Sequence, residues 1–316
     1  MSAIPFLDFD EVHRRLPWGR LIDALEEAHR REKMLVGQLR LAQSREDGQP
    51  DMLILSPAWE KGRALGVKLV TSFPENLSRH GLTTVGSIYI LFDSETGKPT
   101  TLLDGEAMIF RKTAADSALG ARLLSHPDTR RMLMLGAGAL APYVIEAIHH
   151  VRPKIDEILI WNRTATKAVS LAAECRARGL PATSCDDLEA AQAGADIIIS
   201  ATMSESPIIR GELLRPGSHV GMIGSFTPQM REGDDTLLRR AMVYVDDPSA
   251  MDKSGEFTGP LSRGVITRAH VLGDLFDLCQ SRCPLPGPQD ISVFKNGGAS
   301  HLDLITASAA MAMPIA

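Results

Sequence analysis

Residues 132–163, MLMLGAGALAPYVIEAIHHVRPKIDEILIWNR, decide the fold. They read in order as an apolar strand, a glycine turn, a helix and a second strand that ends on a basic residue. The apolar run 132–135 leads straight into Gly136, Gly138 and Ala141, the G-x-G-x-x-A spacing of a dinucleotide-binding βαβ unit. Each position meets a physical need. Gly136 permits the tight turn, Gly138 lets backbone approach a pyrophosphate with no Cβ in the way, and Ala141 keeps the helix close to the sheet. Ala139 and Leu140 complete the turn, where the helix start offers unpaired N–H groups and partial positive charge to a phosphate.

The second strand, 157–161, ends about 25 residues after Gly136, where the residue that reads the adenosine ribose is expected. A carboxylate there would accept from the ribose hydroxyls of NAD. This chain has Asn162, Arg163 and Thr164 instead, with Lys167 one helical turn further on. A guanidinium and an ammonium suit a 2′-phosphate that a carboxylate would repel. The expected cofactor is therefore NADPH, with NADH weaker; otherwise Arg163 and Lys167 are solvated charges at a helix start. Thr202 and Ser204 follow the apolar run 197–200, at the carboxyl edge where ligands lie in such sheets. They read either as cofactor-ribose contacts or as ordinary turn residues.

At 316 residues the chain has room for two domains of ordinary size. A formal net charge of -5 argues against nucleic acid or an anionic membrane as the main partner. A small anionic ligand must then be met by a local group of cations. No apolar run approaches the roughly 20 residues of a membrane span. The opening MSAIPFLDFDEVHRRL is acidic and mixed rather than a secretory signal, and a cytoplasmic protein is expected. Cys175, Cys185, Cys279 and Cys283 lack metal-ligand spacing with histidine and read as reduced thiols, so no metal is expected.

The expected architecture is α/β: a Rossmann doubly wound parallel sheet inserted in a discontinuous α+β domain for substrate binding and dimerisation. The first domain spans 1–118, with 298–316 returning to it, and the nucleotide domain spans 119–297. In the first part an amphipathic helix is expected over 18–35 and strands near 52–55, 66–70, 85–92 and 100–103, with a turn at 93–97. A small-residue helix over 113–125 leads to the nucleotide unit. Beyond it, short apolar strands at 158–161, 197–200, 219–223 and 243–245 alternate with helices, the signature of a parallel sheet. Past Asp290 a glycine turn precedes a small-residue helix.

Outside the nucleotide unit three cations stand out. Lys68 interrupts the apolar strand GVKLVTSFPEN, Arg111 opens RKTAADSALGARLL, and Arg40 follows the first long helix in VGQLRLAQ. Taken singly, each is as readily a surface charge. Together with LGAGALA, IWNRT, SATMSESPII, GSFTPQMRE, VDDPSAMDKSGEF and FKNGGASHLDL, these blocks resemble the ornithine cyclodeaminase and mu-crystallin family from about Arg40 to Ala309.

The resemblance implies a homodimer of two-domain subunits, with Arg40, Lys68 and Arg111 as ligands of a substrate carboxylate. Such a carboxylate suits a planar guanidinium with an ammonium beside it. Clustered cations would also ease deprotonation of Lys68, which would act in catalysis. Lys295 and Asp303 match family blocks near the cofactor, or are a surface lysine and a helix cap. Ornithine cyclodeaminases carry an aspartate in a Gly-Gly-Asp-Cys-Pro loop, whereas Gly224-Ser225-Phe226-Thr227-Pro228 puts Phe226 at that position. With Arg163, this implies NAD(P)H-dependent reduction of a cyclic imine 2-carboxylate: Δ1-pyrroline-2-carboxylate to L-proline, and Δ1-piperideine-2-carboxylate to L-pipecolate. The alternatives are a cyclodeaminase that releases ammonia, reductive amination by an alanine dehydrogenase, and a mu-crystallin-like NADPH-dependent binding protein.

Overall fold

A computed structural model describes residues 3–45 and 48–312; residues 1–2, 46–47 and 313–316 of the expected first domain lie outside the described residues. The chain begins β1 (Phe6–Leu7), α1 (Phe9–Arg15), α2 (Trp18–His29), β2 (Leu35–Val36), β3 (Leu39–Gln43), β4 (Asp51–Glu60), β5 (Ala64–Ser72), α3 (Asn76–His80), β6 (Val85–Phe92), β7 (Pro99–Asp104) and α4 (Gly105–Leu124). It continues β8 (Arg131–Leu135), α5 (Ala141–Val151), β9 (Glu157–Trp161), α6 (Ala165–Ala177), β10 (Ala182–Ser184), α7 (Leu188–Gly194), β11 (Ile197–Ser200), β12 (His219–Met222) and α8 (Asp235–Arg240). The last elements are β13 (Ala241–Val245), α9 (Ala250–Lys253), α10 (Gly255–Ser262), β14 (Val271–Gly273), α11 (Leu275–Cys279), β15 (Ile291–Lys295) and α12 (Ser300–Met311).

Two compact units result, Met1–Lys112 with Ala299–Ala316, and Thr113–Gly298. The first crossing falls at Lys112/Thr113, within the continuous helix α4, whose sequence carries no break there.

In the first unit the sheet runs β1-β7-β6-β5-β4-β2, with β3 also on β4, antiparallel except for β1 on β7. Register sorts the side chains by face. Arg40 lies opposite Ile54 and Ile54 opposite Val70; Lys68 lies opposite Ser56 and Tyr89. These share the face against which α12 packs, and α2 packs on α12. The opposite face carries Leu39, Leu41, Leu53 and Trp59, all exposed.

The second unit holds one eight-stranded sheet, all parallel, in the order β10-β9-β8-β11-β12-β15-β13-β14. Chain direction across the sheet reverses between β8 and β11, so a ligand crevice is expected at the carboxyl ends of those strands. The strands are short apolar runs buried on both faces, among them Met132, Leu133, Ile198, Ile199 and Val220.

Several expectations are corrected. The first long helix stops at His29, not 35: Arg31 is drawn to Glu60 on β4 at 2.8 Å, and Leu35 pairs with Trp59 as strand. Tertiary pairing overrides helical propensity there. Arg40 accordingly sits within β3, in a strand rather than merely after a helix. The helix expected over 113–125 starts at Gly105, so Arg111 lies inside α4 and does not open it. Ile291–Lys295, read as a turn, is a central strand between β12 and β13, since β15 is an unbroken buried run between polar flanks.

Candidate active site

Each unit contributes a polar cluster of its own. In the second unit β8 ends at Gly136, whose φ of +103° only glycine adopts easily and whose N–H donates to Trp161 O at 2.9 Å. A Cβ on Gly136 would lie 2.6 Å from Ala201 O, whereas one on Gly138 would meet nothing within 4 Å. The first glycine is therefore required by the fold, and the second leaves room beside the start of α5. Leu140 caps that helix with no side-chain hydrogen bond; Ala141 N–H donates to Gly138 O at 3.0 Å and Pro142 has none, so the N–H groups left for an anion are those of Gly138, Ala139 and Leu140. A cavity of about 470 Å³ opens there, lined in part by Gly138, Ala139, Pro142, Thr166 and Lys167.

The residues after β9 divide into two roles. Asn162 is committed to backbone: its Oδ1 accepts from Ala137 N at 3.2 Å and its Nδ2 donates to Thr164 O at 3.0 Å, which ties the glycine turn to the strand end. Thr164 caps α6 with its backbone alone. Arg163 and Lys167 are exposed, and among the described residues their side chains have no hydrogen-bond or ion-pair partner. Of these two uncommitted cations, Lys167 lines the cavity.

At the carboxyl ends of β11 and β12 the polar side chains hold one another. Glu232, fully buried, accepts from Ser200 Oγ at 2.5 Å and from both Thr202 N and Thr202 Oγ1 at 2.8 Å. Thr202 Oγ1 in turn accepts from Ser204 N at 3.3 Å, and Ser204 Oγ donates to Ser206 O at 2.6 Å. Both hydroxyls shape the loop. Glu256 accepts from Glu232 N and Gly233 N, and burial pushes its carboxyl up to about 7.

Lys295 is no surface lysine. It is fully buried, and its Nζ donates to the carbonyls of Gly224 at 2.7 Å and Asn296 at 2.6 Å, with longer contacts to Met222 and Ile223. Burial lowers its pKa, and Glu232 and Glu256 oppose that shift. Its role here is to fasten the end of β12. Ser225 follows at a φ of 56°, its Oγ donating to Met230 O at 2.7 Å, and Phe226 beyond it is 60% exposed. Glu232 and Glu256 escaped the sequence reading as site residues; Glu232 stood at the end of the block GSFTPQMRE, directly after Arg231, where it reads as half of a surface charge pair.

In the first unit Lys68 Nζ donates to Asp303 Oδ2 at 2.7 Å. The side chains are 13% and 1% exposed. The bonded neighbour of Lys68 is thus an anion. Arg111 Nε donates to His13 Nδ1 at 2.7 Å, and its guanidinium stacks on Trp18 at 4.1 Å. Arg40 is exposed, and its Nε donates to Gln38 Oε1 at 2.9 Å. Arg40 and Lys68 share a sheet face, two strands apart, and each of the three cations donates to an acceptor of its own. Tyr89, opposite Lys68 in register, is buried with no partner for its hydroxyl, and burial and then the Asp303 charge push its pKa up. Among the described residues no group of histidine, cysteine and carboxylate side chains could hold a metal ion, and no helix is long and apolar enough to cross a membrane.

Fold and site define a two-unit protein with a Rossmann-type sheet whose glycine turn and carboxyl edge are open to a dinucleotide. The chain belongs to the ornithine cyclodeaminase/mu-crystallin family, whose model matches residues 6–311. It is similar to the Δ1-pyrroline-2-carboxylate reductase of Paracoccus denitrificans (strain Pd 1222), 38% identical over 310 residues covering 97% of this chain and 96% of that protein. Among solved structures it is similar to Thermococcus litoralis Δ1-pyrroline-2-carboxylate reductase in complex with NADH and L-proline. There the TM-score is 0.88 and the identity 26%, over 97% of this chain and 96% of that one. An archaeal structure described as an alanine dehydrogenase dimer with bound NAD matches at a TM-score of 0.87 and 25% identity, over 97% and 94% of the two chains.

Proposed function

We propose that this chain is an NADPH-preferring reductase of cyclic imine 2-carboxylates, which converts Δ1-pyrroline-2-carboxylate to L-proline and acts also on the six-membered analogue. The relatives of that name support the reaction. The observation that carries the assignment within the family is the loop after β12. It presents Phe226 to solvent where the cyclodeaminases have their aspartate, and an aromatic ring cannot take a proton from a substrate amine. The preference for NADPH over NADH rests on Arg163 and Lys167, two cations with no partner in their own unit.

The nucleotide domain is the second unit, with the pyrophosphate against the N–H groups of Gly138, Ala139 and Leu140. When bound, the reduced nicotinamide supplies the hydride for C2 of the ring. The chain supplies charge and position. Lys68, Arg40 and Arg111 meet the substrate carboxylate, Arg111 with its plane already set by Trp18 and His13. Thr202 and Ser204 act by the shape of their loop, held by Glu232. The subunits form a homodimer through the exposed apolar face of the first sheet, since Leu39, Leu41, Leu53 and Trp59 form a patch that a lone subunit leaves in water. A cytoplasmic location completes the reading.

The test is spectrophotometric NADPH oxidation with Δ1-pyrroline-2-carboxylate, beside NADH and beside pyruvate with ammonia. Faster turnover of the cyclic imine with NADPH is expected. Ammonia release from ornithine without imine turnover would replace the reductase with a lyase. Light scattering of Leu53→Glu is expected to show a monomer where the unaltered chain is a dimer.

A further inference from the structure

We propose that Asp303 is the positioning residue of Lys68: it fixes the direction of the ammonium and acts on substrate only through it. The proposal rests on the reductase reading for its kinetic consequence but not for the ion pair itself. Three observations carry it. The first is a gradient of burial, with Lys68 the outer group and Asp303 behind it, 13% against 1% exposed. Only the lysine is placed to meet a ligand from solvent.

The second is the cost of the arrangement. A fully buried carboxylate is expensive unless it is paired and hydrogen-bonded. Asp303 spends one oxygen on Lys68, while its Oδ1 has no partner among the described residues. Its place in the first turn of α12 lowers that cost through the helix dipole without supplying a second bond. A residue selected only to close the core would be better replaced by an apolar one. The third is Tyr89, whose buried hydroxyl also has no partner, directly across from Lys68 in register. Lysine and tyrosine stand side by side on adjacent strands, and the carboxylate is bonded to the lysine alone.

The experiment has two readouts on the full chain and its Asp303→Asn variant. The first is labelling of Lys68 by an amine-reactive reagent, followed by mass spectrometry, which needs no substrate. Loss of the anion is expected to raise labelling of Lys68 several-fold, because its Nζ is no longer held against Asp303, with other lysines unchanged. The second is steady-state kinetics. D303N is expected to lose roughly 10- to 100-fold in kcat/KM for the cyclic imine, the range outer-shell partners carry. KM for the coenzyme stays within twofold, and the loss nearly vanishes in a K68M background.

Unchanged Lys68 labelling, or an equal loss with and without Lys68, overturns the proposal. Raised labelling in a protein that reduces no cyclic imine leaves the pair standing and removes the reductase reading instead. If D303N does not fold, Asp303→Glu keeps the buried charge but displaces the ammonium by a methylene. It must then raise KM for the imine and leave coenzyme KM unaltered, and wild-type constants in D303E refute the role equally.

Discussion

The carboxyl edge of the second unit and the sheet face of the first are both polar sites, and they are built from opposite materials. In the second unit almost every polar side chain near the glycine turn is spent on its own chain. Asn162 holds Ala137 N, Glu232 holds Thr202, and Lys295 holds the end of β12. What remains for a ligand is backbone, the room beside Gly138 and two surface cations. In the first unit the strands supply only a platform, and the chemistry lies in side chains. There the Lys68–Asp303 pair leaves Asp303 Oδ1 and the neighbouring Tyr89 hydroxyl buried without partners, as Glu232 Oε2 is in the second unit. A backbone site tolerates many side chains but no Cβ at one point; a side-chain site has the reverse sensitivity.

The comparison breaks most readily at Lys68. Lys68→Met is expected to lower kcat/KM for the imine roughly 10²- to 10³-fold, as loss of one charged stabilising group does. It should also destabilise the fold by about 3–5 kcal/mol, because it strands the Asp303 carboxylate in the core. Paired steady-state kinetics and urea denaturation measure both, and a variant as active as the parent would mean that the first unit's cation is not in the site.

The glycine turn predicts a different separation of effects. Gly136→Val forces a left-handed φ on a branched residue and drives its Cβ against Ala201 O, so a stability loss of at least about 1–3 kcal/mol is expected. Gly138→Ala finds open space. It should melt like the parent and yet bind coenzyme about tenfold more weakly, since the methyl fills the approach of the pyrophosphate. Calorimetric coenzyme titration with thermal melts decides it; equal coenzyme affinity in G138A would move the phosphate away from this turn.

The same contrast sets what could be read from the sequence. Gly136, Gly138, Ala141 and the run to Arg163 are contiguous, and each answers to one local rule, so strand, turn and helix were legible from spacing. Strand β15 was not, because only its neighbours β12 and β13 make Ile291–Lys295 a central strand. Lys68 was visible as a charge out of pattern in an apolar strand. Its partner was not, for Asp303 lies 235 positions away and the pair exists only once α12 packs on the sheet. Glu232 and Lys295 share this limit: their work is to close carbonyls and hydroxyls contributed by other strands, and no spacing within one segment encodes that.

Smaller effects sharpen the contrast. Replacing both Arg163 and Lys167 by alanine should reduce the preference for NADPH over NADH about tenfold, with KM for NADH little changed and the difference shrinking at high salt. The ratio of kcat/KM values for the two coenzymes, measured at two ionic strengths, reports it directly. An unchanged ratio would place the discrimination elsewhere than at the end of β9.

The smallest expected effect lies at His219, in the middle of the second unit's sheet. Burial, and then the charge of Arg152, lower its pKa to about 3, and its Nδ1 lies 2.9 Å from Ser292 Oγ. The folded state therefore holds the ring neutral, while the unfolded chain protonates it near its ordinary value of about 6.5. Between those values the unfolded state binds more protons, so this residue's stabilisation is full above pH 6.5 and is lost as pH falls toward 3. From pH 6.5 to 5.5 the loss is about 1 kcal/mol. His219→Asn keeps a polar atom for Ser292 and removes the titration. Hydrogen exchange of β12 should then become less dependent on pH over that interval, while kcat/KM keeps its parental value. If activity moved with His219, the second unit's buried polar groups would be coupled to the chemistry after all, and the division between a backbone site and a side-chain site would fail at its centre.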